Sequence, residues 1–106
     1  MRINFVCYGN ICRSPMAEFL FKELVKEKGK EKDYYIVSSA TSDEETGNPV
    51  HYGTANILAK KGIDFSKKRS IKIQKQDYDK FDLFIGMDEN NVKTLKRLFG
   101  GDPENK

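Results

Sequence analysis

The sequence predicts an α/β fold in which helices cover both faces of a parallel sheet, giving three layers. Three short apolar segments with the composition of strands alternate with three segments whose apolar residues recur at helical spacing. This alternation is typical of parallel sheets joined by right-handed crossovers. We expect a single domain over residues 1–106, because the chain is too short for two independent cores.

The first strand and the first helix are predicted at the start of the chain. RINFVC (2–7) has the composition of a buried strand. From Pro15 to Gly29 the apolar positions follow a helical period, and the residues that define it are Met16, Phe19, Leu20 and Leu24. Ser14 is predicted to cap this helix with Pro15 at its first position, the place that proline tolerates best.

The second unit combines a strand over YYIV (34–37) with a short helix. Pro49 is predicted to open that helix, which the Lys61-Gly62 pair ends. Its inward residues are expected to be Ala55, Ile57 and Leu58.

The third unit has a strand over FDLFIG (81–86) and a helix that Asp88 is expected to cap and Gly100 to end. Its inward positions are expected to be Val92, Leu95, Leu98 and Phe99. We expect the strand order to be flavodoxin-like, with the ligand beyond the carboxyl ends of the strands. The loop after the first strand lies at that edge.

Composition excludes several classes of protein. The 19 Lys and Arg residues against 16 Asp and Glu leave a net charge of +3, too mild to indicate nucleic acid. No segment approaches the roughly 20 apolar residues that cross a bilayer, and no signal peptide is recognisable, so we expect a cytoplasmic protein without membrane contact. Residues 60–75 hold seven basic side chains and one acid, which favours a solvated basic face or, alternatively, contact with an acidic partner.

Metal binding is not expected. The chain has two cysteines, Cys7 and Cys12, at a spacing unlike that of zinc ligands, and one histidine, His51. A structural zinc site needs about four such ligands together. We therefore predict neither metal nor cofactor, and His51 is expected to be a surface or packing residue.

The loop from Cys7 to Arg13 has the properties of an anion site. Gly9 and Asn10 tolerate the backbone angles that turn successive N–H groups inward. The following helix adds partial positive charge at its N-terminus, and the planar guanidinium of Arg13 can grip two phosphate oxygens. The sequence therefore predicts a phosphate-binding loop.

Within this loop, Cys7 is placed as a nucleophile. Helix N-termini and neighbouring cations favour the thiolate form of a cysteine, which is the reactive one. A thiolate beneath a bound phosphate is positioned for in-line attack on phosphorus, while N–H groups and Arg13 stabilise the equatorial oxygens. The Ser14 hydroxyl is expected to hydrogen-bond the sulfur and ease its departure.

The motif CYGNICRSPMAE resembles the signature of the low-molecular-weight protein tyrosine phosphatases. The resemblance continues in collinear order through SSATS (38–42), GNP (47–49), GID (62–64) and FDLFIGMDENN (81–91). It implies that Cys7 is the nucleophile, Arg13 the phosphate clamp and Ser14 the aid to sulfur departure. The loop residues that it implies in phosphate binding are Tyr8, Gly9, Asn10, Ile11, Cys12 and Arg13.

The resemblance also implies roles for residues around the loop. Asn10 and Ser38 are expected to brace it from behind, and Cys12 is expected either to form a reversible disulfide with Cys7 or to be a buried bystander. Lys68 and Ile71 stand where family members often carry His and Arg, which predicts weaker support from that side. Two roles are open for Tyr52, which are the aromatic wall for the substrate ring that is common in the family and, as the favoured one, packing against its helix.

One part of the family pattern is missing. The resemblance implies a general acid in an Asp-Pro-aromatic motif, but the Asp102-Pro103 pair is followed by Glu104 and is expected to be a turn. We therefore expect no general acid in this chain, which looks truncated after the third βα unit. A sheet without its outer strand is expected to expose an edge that invites self-association.

The resemblance implies hydrolysis of protein phosphotyrosine through a cysteinyl-phosphate intermediate, with phosphate and other tetrahedral oxyanions as inhibitors. Ile11 resembles the tyrosine-directed form of the loop rather than the arginine phosphatases. Two alternatives remain, a phosphoarginine phosphatase and a phosphate-binding module that lacks catalysis because the acid is absent. For the tyrosine phosphatase and for the binding module alike, the expected partner is a phosphotyrosine-containing protein.

Overall fold

The computed structural model describes residues 1–104 and 106 and contains the predicted parallel sheet. Its strands are β1 (Arg2–Cys7), β2 (Tyr35–Ala40) and β3 (Leu83–Gly86), in the order β2-β1-β3. The central strand β1 pairs in parallel with both neighbours. These findings confirm the α/β class and the flavodoxin-like order.

Helices cover both faces of this sheet. They are α1 (Arg13–Glu27), α2 (Tyr52–Lys60) and α3 (Glu89–Phe99). Successive strand residues point to opposite faces, so Ile3 and Phe5 pack toward α1 whereas Val6 packs toward α3. The two resulting apolar clusters form the core, and the three-layer architecture is confirmed.

Helix α1 differs from its prediction at its start and in its buried face. It begins at Arg13, and Ser14 is not a cap because its hydroxyl turns inward toward the Cys7 sulfur. Leu20 and Leu24 are exposed, whereas the polar Glu18 is buried. The inward face of α1 instead combines the polar Ser14 and Glu18 with Val25, Ala17 and Phe21, which pack in the core, so the predicted apolar face was displaced around the helix.

Helix α2 begins later than predicted. His51 is its N-cap, and its Nδ1 accepts from the Gly53 N–H at 3.4 Å. Pro49 lies in an isolated antiparallel bridge with Arg69 instead of opening the helix. Leu58 is fully buried as predicted, but Ile57 is exposed.

Helix α3 has the predicted ends. The Asp88 carboxylate accepts from the Asn91 N–H at 2.8 Å, and Asn91 reciprocates in a capping box. Gly100 adopts the left-handed conformation at φ 73°. Leu95 is buried, although Val92, predicted to point inward, is exposed.

The outer edge of β3 carries one further backbone contact. The Phe84 N–H donates to the Lys106 carbonyl at 2.9 Å, so the edge expected to be open is occupied at this point. Among the described residues, no helix has the length and apolar character that a membrane span requires.

Candidate active site

The loop between β1 and α1 gathers polar groups around one sulfur atom. Cys7 is 3% exposed, and its Sγ accepts from the Asn10 N–H at 3.2 Å. The Ser14 Oγ lies 3.0 Å from the same sulfur. Asn10 has φ 57°, the left-handed conformation that asparagine tolerates, and this residue turns the loop back over the sulfur. The Asn10 N–H thus donates to the Cys7 sulfur, and the Ser14 hydroxyl lies within hydrogen-bond distance of it, with either atom able to donate.

The Asn10 side chain links the loop to α1 and to the segment at 70–71. Its side chain is almost fully buried; Nδ2 donates to the Ser14 Oγ at 2.8 Å and Oδ1 accepts from the Ile71 N–H at 3.2 Å. The Ser70 hydroxyl donates to the Gly9 carbonyl at 2.7 Å. The segment at 70–71 therefore supports the loop through a hydroxyl and a backbone N–H. At Ile71 this support comes from the backbone, while its side chain is exposed.

Arg13 is held at the first turn of α1 by the N-cap of α3. Its Nη1 lies 3.1 Å from the Asp88 Oδ2, and both side chains are partly exposed. The Asn91 N–H, and after it the Arg13 guanidinium, keep the pKa of the Asp88 carboxyl below its usual value. Asp88 thus caps α3 and orients the guanidinium.

We expect Asp88→Ala to lower the melting temperature by about 5 °C, because it removes the cap of α3. Asp88→Asn keeps a capping side chain and should cost less. The fold lowers the pKa of Asp88, so the stabilisation that its carboxylate gives the fold is fully present at pH above the ordinary carboxyl pKa. This stabilisation is lost as the pH falls through the lowered pKa of the folded state. Melting curves of the three proteins across acid pH test this; equal losses in both variants contradict it.

Behind the loop lies a buried charge network. The Ser38 hydroxyl donates to Glu18 at 2.5 Å, and Lys22 donates to the other carboxylate oxygen. Lys68 donates to the Ser38 carbonyl at 2.8 Å and lies 3.8 Å from Glu18. Ser38 therefore contacts Glu18 of α1 and Lys68. Of the two predicted bracing residues, Asn10 is the one that contacts the loop directly.

Lys68 brings a positive charge close enough to Cys7 for the two groups to interact electrostatically. Its side chain is 11% exposed, and burial lowers its pKa, while the nearby Glu18 and Cys7 oppose that change. The expectation that Lys68 gives weak support was wrong, since its long stem reaches the carbonyl of β2 from the 64–72 segment.

Glu18→Gln should destabilise the fold by about 2 kcal/mol, because Lys68 would lose the carboxylate that compensates its burial. Urea denaturation measures this free energy of unfolding. Glu23→Gln, on the same helix but outside this network, is the matched control. A loss no larger than that of the control would show that the network contributes nothing.

The other predicted residues lie around the rim. Cys12 is exposed and is a free thiol, so it is not a buried bystander, and Thr54 Oγ1 lies 3.2 Å from its sulfur. The Tyr8 hydroxyl donates to Glu44 at 2.7 Å. Tyr52 is 75% exposed, and its ring contacts the His51 ring in a tilted arrangement, so its expected packing role was wrong.

Asp102 lies far from the loop. It follows α3, whose 11 residues rise about 16 Å from the Asp88 end. Its carboxylate accepts from the Tyr78 hydroxyl at 2.8 Å and from the Lys106 N–H at 2.7 Å. In the part of the chain that the structure describes, no three His, Cys, Asp or Glu side chains cluster as metal ligands would.

Comparisons with known proteins agree with this geometry. The family model "Low molecular weight phosphotyrosine protein phosphatase" matches residues 2–106. Low molecular weight protein-tyrosine-phosphatase YfkJ from Bacillus subtilis is 43% identical over 98 residues, covering 92% of this chain and 63% of its own length. The chain thus spans less than two thirds of this relative.

Solved structures show the same similarity. The low molecular weight protein tyrosine phosphatase SP-PTP from Streptococcus pyogenes has a TM-score of 0.89 and 45% identity, covering 99% of this chain and 68% of its own. DARP, a drosophila arginine phosphatase, has a TM-score of 0.86 and 31% identity, covering 92% and 60%. The chain belongs to the low molecular weight phosphotyrosine protein phosphatase family.

Proposed function

We propose that this protein hydrolyses phosphotyrosine in proteins through a phosphorylated Cys7. The observation that carries the proposal is the sulfur of Cys7 at the floor of the loop, where the Asn10 N–H and the Ser14 hydroxyl lie within 3.2 Å and 3.0 Å. Both contacts stabilise negative charge on sulfur. A buried cysteine in such surroundings is suited to nucleophilic attack rather than to packing.

The proposed reaction has two displacements at phosphorus. The Cys7 thiolate forms a bond to phosphorus as the bond to the tyrosine oxygen breaks, and the leaving oxygen takes up a proton from solvent water. Water then attacks the cysteinyl phosphate, which releases inorganic phosphate and regenerates the thiolate. The Ser14 hydroxyl assists that second step by donating to the departing sulfur.

Arg13 and the loop supply the electrostatic stabilisation. One guanidinium nitrogen is paired with Asp88, so the guanidinium keeps further N–H groups for the phosphate oxygens. The backbone of residues 8–13 and the N-terminus of α1 complete the cradle. Phosphate and similar tetrahedral oxyanions should therefore compete with substrate.

The leaving group decides how fast the first step proceeds. Phenolate is a poor leaving group without an acid, and Asp102 is held by Tyr78 beyond the far end of α3. We therefore do not assign Asp102 as the general acid. This chain should cleave an activated nitrophenyl phosphate faster than phosphotyrosine, by about 10²-fold or more.

Phosphoarginine is the second candidate substrate, favoured by the similarity to the arginine phosphatase. Ile11, partly exposed on the loop, is the position that we expect to discriminate between the two. The reaction needs Cys7 in its reduced form, which the reducing cytoplasm maintains, and we place the protein there.

Rapid-quench mass spectrometry with phosphotyrosine, phosphoarginine and nitrophenyl phosphate tests these assignments. The proposal expects phosphate on Cys7 and turnover of phosphotyrosine above that of phosphoarginine. A phosphoenzyme formed only from phosphoarginine would reassign the substrate. Binding without any phosphoenzyme would make the protein a phosphate-binding module.

A further inference from the structure

A second cleft opens beside the outer edge of β2, whose end at Ala40 is bridged to Lys72. It has a volume of about 680 Å³, in the range of small-molecule sites, and contains no residue of the loop from Cys7 to Arg13. Its floor is formed by the β1 and β2 side chains Asn4 and Ser39, both almost fully buried. The cleft is thus separate from the phosphate loop.

The floor presents an unused hydrogen-bond donor. The Ser39 hydroxyl donates to the Asn4 Oδ1 at 2.8 Å, while Nδ2 of Asn4 has no partner among the residues described. Every fully enclosed side-chain nitrogen or oxygen in the described chain has a partner, so this nitrogen keeps contact with solvent. Because Asn4 lines the cleft, the cleft supplies that contact. An acceptor bound there would satisfy the amide.

The walls carry an excess of positive charge. Three acidic residues line the cleft, against six basic ones, which are Arg2, Lys22, Lys67, Lys68, Lys72 and Lys80. Glu18 and Asp77 are paired with lysines of the same cleft. Lys72 forms no ion pair with a described residue, and Lys67 is not within ion-pair distance of one, although its charge helps to lower the pKa of the Asp64 carboxyl in the same cleft. The Arg2 guanidinium lies over the Tyr35 ring at 4.5 Å.

From these features we propose that the cleft binds a small multivalent oxyanion. The oxygens of such a ligand would accept from the Asn4 amide, and its charges would face Lys67, Lys72 and Arg2. A neutral apolar ligand would leave the amide unsatisfied and the lysines unpaired. Within the basic stretch over 60–75, the lysines that line the cleft are Lys67, Lys68 and Lys72, and these would face the bound anion. The proposal does not depend on catalysis at Cys7.

Calorimetric titration with tripolyphosphate or citrate, in the presence of saturating orthovanadate to occupy the Cys7 loop, tests the proposal. Binding of both anions would show that the site recognises multivalent negative charge. Binding of tripolyphosphate alone or citrate alone would show that it recognises phosphate or carboxylate oxygens, respectively. The double variant Lys67→Gln/Lys72→Gln should weaken binding at least about tenfold, since it removes two charges at exposed positions.

The matched control is Lys60→Gln/Lys61→Gln, which removes the same charge outside the cleft and should change affinity less than about twofold. Asn4→Leu should also weaken binding, with circular dichroism to verify its fold. Absence of binding by either anion overturns the proposal, as does equal binding by the Lys67/Lys72 variant and its control. Loss of orthovanadate binding would instead count against the phosphate loop, so the two failures can be told apart.

Discussion

Replacing Cys7 with serine should lower the rate of phosphate ester hydrolysis by at least about 10⁴-fold. The serine oxygen occupies the position of the sulfur but stays protonated at neutral pH, so it attacks phosphorus poorly. The Asn10 N–H and the Ser14 hydroxyl that face the sulfur would then have no anion to stabilise. Steady-state hydrolysis of nitrophenyl phosphate measures the effect.

The Cys7→Ser protein should still fold and bind oxyanions. The substitution is nearly isosteric, and the loop keeps its contacts from Ser70, Ile71 and Asn10. Unchanged melting and measurable orthovanadate binding would assign the lost rate to chemistry. Residual activity within tenfold of the wild type would mean that another group is the nucleophile.

Arg13→Lys should reduce kcat by about 10²- to 10³-fold, an effect of about 2.7 to 4 kcal/mol on the barrier. Lysine keeps the charge but has no planar fork, so it cannot pair with Asp88 while holding two phosphate oxygens. The loss should appear in kcat more than in KM, because the guanidinium acts most strongly on the charge of the transition state.

Arg97→Lys, in the exposed last turn of α3, is the matched control and should leave kcat within about twofold. If Arg13→Lys changed only KM, Arg13 would be a ground-state binding group. If it changed neither constant, the clamp role of Arg13 would be wrong.

Strand segments and the loop were predictable because each rests on local signals. The segment RINFVC at 2–7, with Ile3, Phe5 and Val6, is sufficient to predict β1, and the Gly-Asn pair with Arg13 before a helix predicts an anion loop. Asp88 and Gly100 were placed correctly for the same reason, since caps are read from single residues.

The contacts behind the loop were not predictable, because they join residues far apart in the chain. Lys68 reaches the Ser38 carbonyl, and Ser70 reaches Gly9 across 61 positions. Glu18 was overlooked because a charged residue within a helical pattern is normally solvent-facing. Its place four residues before Lys22 was the available signal, but that spacing is equally common on exposed helices.

The reactivity of the Cys7 thiolate tests the central claim most directly. In the Cys12→Ser protein, where Cys7 is the remaining thiol, iodoacetamide alkylation at about pH 6 should be at least about tenfold faster in the folded chain than in urea. Orthovanadate or phosphate should protect the folded thiol. Equal rates in the folded and unfolded chains, with no protection by either oxyanion, would contradict a sulfur held as an anion within a phosphate-binding loop.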